Sequence, residues 1–289
     1  MLEKDQSEFA RYAATHYNYA YMKIMLDCLS QLKLSTVILG SSYGLHGMDL
    51  KQMEGGVNLS MTSQDLIRHE KLLHKVLEEN TPGQIRTVMF ILGYYALYDD
   101  LECSRMGQSM EQQLYEPLLQ TAPETNKQEQ LLEQLIMKEG SFFNQYYRRE
   151  DNCEACYSQL NWQKITGEER EKWAKHRAER HNRLLAHSDT YQKNVSCLSR
   201  ITGLLQEQQI RTIVVIPPFS VEYQKHLDNR LKNSLLKELE ILPWEIEYYD
   251  FNQADGTEIF ATEDFFDMDH LNDFGAAKFT KLLKNDLLC

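Results

Sequence analysis

The chain has 289 residues, 42% hydrophobic and 26% charged, enough apolar material for one large core or two small domains. Its formal net charge of -12 and pI of about 5.3 repel phosphate backbones and set nucleic acid aside as a partner. Met1–Gln6 does not open a signal peptide, and no run reaches the roughly 18 apolar residues of a membrane span, so the chain as given reads as cytoplasmic and not membrane-spanning.

In chain order, Phe9, Tyr12, Tyr17, Tyr21, Ile24, Met25, Cys28 and Leu32 recur close to every fourth residue and predict an amphipathic helix over 8–31. A short β-rich run, 34–39, stops at Gly40, and "GGVNLSM" (55–61) predicts a second strand. Leucines at helical spacing predict a helix over 63–80 with a Ser or Asp cap, closed by "TPG". "IRTVMFILG" (85–93) is apolar enough for the middle of a sheet. Between about 98 and 186 charged residues dominate, β-branched residues are few and helical spacing is patchy, which predicts a mostly helical insertion of solvated helices. Helices at 190–209, 221–242 and 273–288 then alternate with strands at 210–218 and 244–251. Such alternation predicts a single α/β domain over 1–289, with a mostly parallel central sheet and helices on both faces. Ligands of such sheets bind outside the carboxyl ends of the strands, where Ser41 and Ser42, Gly93-Tyr94-Tyr95 and Pro217-Pro218 should gather.

Of the six cysteines only Cys153 and Cys156 make a C-x-x-C pair, with no second pair at zinc spacing, so ordinary reduced cysteines are expected. His69 and His74, like His176 and His181, are five residues apart, a poor spacing for metal ligands, and are expected to be packed or solvated. No metal or organic cofactor is expected.

"GSSYG" (40–44) spells G-x-S-x-G, the nucleophile elbow of α/β-hydrolases. Fewer than 40 residues precede Gly40 and they read as one helix, leaving no room for the strands that come before that elbow. Another arrangement fits. "FFDMDHLNDFGAAKF" (265–279) contains Asp267-x-x-His270. A serine nucleophile needs an imidazole to take its proton and a carboxylate to orient that imidazole, and an Asp three residues before a His can do this within one turn. Ser41 is expected to hold the turn through backbone contacts. Asp269, adjacent to His270, is expected to point elsewhere. His46, just past the serines, is a candidate for touching substrate.

Through these two blocks the sequence resembles the SGNH (GDSL-type) hydrolase superfamily, and more closely the branch containing the D-alanyl-lipoteichoic-acid transfer proteins, which carry "GSS" and an "H-L-N-x-x-G" block. The resemblance covers roughly 30–100 and 187–288. It implies an SGNH/flavodoxin-like three-layer sandwich with Ser42 as catalytic nucleophile, His270 as general base and Asp267 as its orienting acid. "NLSMTSQDL" (58–66) resembles the second family block, where a glycine offers a backbone N–H to the oxyanion; Ser63, or less favourably Ser60, stands there. "LGYY" (92–95) resembles the third, with Tyr95 in place of an asparagine donor. Tyr43 completes the expected oxyanion and substrate-binding set. The implied activity is ester hydrolysis or O-acyl transfer on an acylated carbohydrate or cell-envelope precursor. The alternative is a non-catalytic SGNH-fold module that binds glycan or protein.

Overall fold

The computed structural model describes residues 17–49, 52–53, 55–104, 107–119, 162–252 and 259–287. Helix α1 (Tyr17–Gln31) leads into strand β1 (Thr36–Gly40), helix α2 (Ser42–Gly47), strand β2 (Gly56–Asn58), helix α3 (Leu66–Glu79) and strand β3 (Thr87–Ile91). After the insertion come α4 (Gly167–Asn182), α5 (Ser188–Glu207), β4 (Arg211–Ile216), α6 (Val221–His226), α7 (Asn229–Ile241), β5 (Glu247–Asp250) and α8 (Asp273–Leu287).

The five described strands are all parallel, in the order β2-β1-β3-β4-β5. β3 is buried along its whole length, and β4 everywhere except Arg211, as continuous apolar runs require when both faces of a sheet are covered. α2 packs against α8, and α3 against α5. In this order the connections reverse between β1 and β3, and such a reversal opens a crevice at the carboxyl ends of the strands. Gly40 pairs with Ile91, so those ends are level and the chain leaves both strands side by side at the crevice.

The sequence predicts one helix over 221–242, but the structure breaks it. α6 ends at His226, and Asp228 caps α7 by accepting from the Arg230 amide. An aspartate able to bond a backbone N–H competes with helix continuation, and here it starts a new helix instead.

The insertion departs from solvated helices at its first described end, whereas α4 at the other is mostly exposed. Its first part carries short 3₁₀ turns at Ala96–Tyr98 and Leu101–Cys103, then a helical run over 107–119 with a π-helical middle, Glu111–Tyr115. That run is bolted to α3 by Arg68, 1% exposed, whose guanidinium meets Asp65 at 3.0 Å, Glu111 at 2.8 Å and Glu102 at 3.2 Å. Asp65 also caps α3 and takes the Leu101 amide. Cutting a buried guanidinium out of such a network strands the carboxylates around it. Arg68→Ala is expected to lower the unfolding free energy by about 3–5 kcal/mol, read as an earlier urea midpoint. The other described end, α4, buries Ala174, Ala178 and His181 and packs against α6. The middle of the predicted insertion, 120–161, with the Cys153–Cys156 pair, lies outside the described residues. Cys28 and Cys197 are buried and Cys103 exposed, none of the three in a disulfide.

Candidate active site

β1 delivers Gly40 to the rim, Ser41 adopts an extended backbone, and α2 starts at Ser42. Ser41 holds this turn through its carbonyl, which accepts from the amides of Gly44 and Leu45 at 3.0 and 3.1 Å. Asn58 of β2 anchors α2 by donating to the Gly44 carbonyl at 2.8 Å. Gly44 has no room for a side chain, because a Cβ there would lie 2.3 Å from Ser60 Oγ. The second glycine of "GSSYG" thus answers a packing need beneath the serine.

From the other end of the chain, residues 265–271 form a tight loop ahead of α8. The Phe266 amide bonds the His270 carbonyl at 2.9 Å, and Asn272 donates to the carbonyls of Glu263 and Phe265. Within the loop, Asp267 Oδ1 accepts from the amides of Asp269 and His270 at 2.9 and 2.8 Å, a local turn that aspartate favours. The same carboxylate meets His270 Nδ1 at 3.0 Å through each of its oxygens. On the far side of the ring, His270 Nε2 lies 2.9 Å from Ser42 Oγ, across a sequence separation of 228 residues. Ser42, His270 and Asp267 therefore stand in one hydrogen-bonded line.

Asp269 does not point elsewhere. It is 1% exposed, its Oδ1 lies 3.4 Å from His270 Nδ1, and its Oδ2 accepts from Tyr43 at 2.8 Å and from Arg177 Nε at 2.9 Å. An extended segment would turn neighbouring side chains apart, but the Asp267 turn curls this one so that both carboxylates reach the same nitrogen. Burial works against a charge on His270, yet Asp267 and Asp269 together outweigh it and lift the imidazole to about 10. Burial also works against the Asp269 carboxylate, and His270 and Arg177 pull it well below the ordinary range. His46, whose ring is 6.3 Å from that of His270, is pushed down to about 3 by burial and then by His270, and stays neutral.

The two serines proposed for the second oxyanion position part company. The Ser60 amide donates to Asn58 Oδ1 at 3.0 Å, and its buried hydroxyl packs beneath Gly44. Ser63 has φ 58°, the left-handed backbone that favours glycine, and among the described residues no backbone carbonyl takes its N–H. Tyr43 is 3% exposed and its hydroxyl is committed to Asp269, so what it can offer a substrate is its backbone. Tyr95 stacks on His181 with ring centroids 4.0 Å apart, and its hydroxyl sits among Asp99, Arg177, Asp269 and Tyr43. Tyr94 and Tyr98 are buried, with hydroxyls bonded to Asp250 and Ser234. Pro217 and Pro218 reach the rim as expected and, with Ser42, His46 and Leu271, line a narrow, shallow cleft. His69 is buried, while His74 and His176 are exposed.

Donor atoms of Asp267, Asp269 and His270 lie within 4.8 Å of one another, a grouping that a metal ion can use. Here Asp269 Oδ2 already carries Arg177 and Tyr43, and His270 Nε2 faces Ser42, so the same groups are set to hold and pass a proton. Sequence reading missed Arg177, which lies in a run of charge, and set Asp269 aside. The available signal for the helix was Ala174, Ala178 and His181, a narrow stripe at helical spacing flanked by Arg177. No protein-family model matches the chain, and no curated protein matches it.

Proposed function

We propose that this protein is a serine-dependent O-acyl esterase or acyltransferase. The observation that carries the reading is the line Ser42 Oγ, His270 Nε2, His270 Nδ1, Asp267, with spacings of 2.9 and 3.0 Å at the carboxyl end of β1. Neutral His270 takes the Ser42 proton as Oγ attacks an ester carbonyl, while Asp267 stabilises the imidazolium that forms. Backbone N–H groups of Ser42 and Ser63 are the candidate oxyanion donors. The imidazolium then protonates the leaving alkoxide, and the acyl group stays on Ser42 until water or an alcohol accepts it. The motifs shared with SGNH hydrolases support the same roles, and support an acylated carbohydrate or cell-envelope precursor as substrate. A fluorophosphonate, which serine attacks with loss of fluoride, is the direct probe. It is expected to label Ser42 in the wild type and not in His270→Ala. Folded wild-type protein that stays unlabelled at pH 9 would rule the enzyme out.

A non-catalytic binding module draws support from the placement of two carboxylates, Asp267 and Asp269, at His270 Nδ1, which favours the protonated imidazole over the free base. With its ordinary value near 6.5 lifted to about 10, the neutral base is the minor form at pH 7. The two readings separate on pH. For an enzyme, log kcat/KM is expected to climb by about one unit per pH unit from 7 to 9 and to level off near 10. A binding module gives no turnover at any pH. Stability carries the opposite sign. The proton is held more tightly in the fold than in the unfolded chain, so its contribution is full below about 6.5 and is lost as pH rises through about 10.

A further inference from the structure

We infer that Asp269 and Arg177 are an opposed pair of positioning residues that set how tightly His270 holds its proton, Asp269 strengthening the grip and Arg177, brought by the insertion helix, weakening it. The inference rests on His270 being the base for Ser42. Its ground is the division of Asp269 between two clients. Oδ2 is taken by Arg177 Nε at 2.9 Å and by the Tyr43 hydroxyl at 2.8 Å, while Oδ1 makes no hydrogen bond and lies 3.4 Å from His270 Nδ1. Arg177 thus reaches the imidazole through this carboxylate, which stands between them.

The groups that face His270 can be counted by charge. Its own loop brings Asp267 and Asp269. α2 brings Tyr43 and His46, and α4 brings Arg177 and His181. Tyr95 follows β3 and Tyr223 lies on α6. His46 and His181 are each pushed down to about 3, mainly by burial, and are neutral. Burial and nearby carboxylates push Tyr43, Tyr95 and Tyr223 up, so they stay protonated. Asp99, beyond Tyr95, is lifted to about 7 by burial and then by Asp65. Two carboxylates and one guanidinium therefore remain at close range around the imidazole. With His270 protonated their charges cancel, and without the proton the cluster is negative by one. Removing Arg177 deepens that deficit and favours the proton. Removing the Asp269 charge leaves a surplus cation and disfavours it.

A pair that merely ties α4 to the catalytic loop would behave differently, because breaking a tie from either end has the same consequence. The test is an NMR titration of the His270 ring in the full ¹⁵N-labelled chain, pH 5–11, beside the pH profile of kcat/KM. Asp269→Asn is expected to lower the His270 midpoint by about one unit or more, and Arg177→Gln to raise it by about half to one unit. Arg177→Lys, which keeps the charge, should stay near the wild type, and the Asp269→Asn/Arg177→Gln double variant should fall between the singles. Midpoints that move the same way in both singles, that do not move, or that move equally in Arg177→Lys and Arg177→Gln overturn the inference. Failure of the esterase reading looks different: opposed NMR shifts with no fluorophosphonate adduct on Ser42 leave the pair standing and remove the enzyme.

Discussion

Replacing Ser42 with alanine is expected to reduce kcat for a simple activated ester, p-nitrophenyl acetate at pH 9, on the order of 10⁶-fold, to the background rate of the empty site. The size follows from what the hydroxyl does. In the proposed reaction it is the group that bonds the carbonyl carbon, and its Oγ lies 2.9 Å from Nε2, the His270 nitrogen that takes the proton. Ser41→Ala is the control. Ser41 makes no side-chain capping bond, and its contribution to the turn is a carbonyl that alanine retains, so its loss should stay within about tenfold. A Ser42→Ala enzyme that keeps its rate, or a loss that follows Ser41 instead, would refute the assignment. Because the acyl-enzyme cannot form without Ser42 Oγ, mass spectrometry of the wild type quenched at pH 9 should also find the acetyl group on Ser42 and nowhere in the variant.

The parts of this molecule that were legible in the sequence are those decided by local chemistry. β3 could be read because an uninterrupted apolar run of that length fits only a strand covered on both faces, and the structure buries every residue of Thr87–Ile91. The Asp267–His270 contact could be read because three residues of separation let one turn bring the two side chains together, and Asp267 makes that turn itself by accepting two amides. Ser63 was legible only by likeness to a glycine position, and no local signal in the sequence marks its left-handed backbone. Arg177 was not legible. Nothing within α4 separates an arginine that enters a buried site from its charged neighbours, because the partner, Asp269, is 92 residues away. Asp269 itself failed for the opposite reason. Alternation along an extended segment is a sound local rule, and the Asp267 turn suspends it there. The break at Leu227–Asp228 is a third case: Tyr223, Leu227 and Leu231 keep helical spacing across it, and the capping bond of Asp228 marks where a new helix starts.

In the proposed mechanism, two carboxylates at one imidazole nitrogen should make the acid of the triad tolerant to loss of either member alone. In a triad with one carboxylate, losing it leaves the imidazole free to take the wrong tautomer, at a cost of about 10⁴ in kcat. Here Asp269 Oδ1 waits 3.4 Å from the same Nδ1 without a hydrogen bond of its own. Asp267→Ala is therefore expected to cost about 10- to 100-fold in kcat, the remainder being supplied by Asp269 after a shift of a few tenths of an ångström. Asp267→Ala also removes the acceptor for the amides of Asp269 and His270, so Asp267→Asn, which keeps an oxygen there, separates lost charge from a loosened loop. Asp269→Asn alone keeps both Asp267 bonds and is expected to lose no more than a few-fold at pH 9. The Asp267→Asn/Asp269→Asn enzyme has neither carboxylate and should fall by about 10⁴, far beyond the product of the two single losses. Multiplying single losses, with the double variant no worse than their product, would mean that Asp269 never reaches the imidazole in the working enzyme. A full 10⁴-fold loss in Asp267→Asn alone would say the same. Non-additivity in kcat, with the urea midpoints of the four proteins staying additive, is the signature of two acids serving one base.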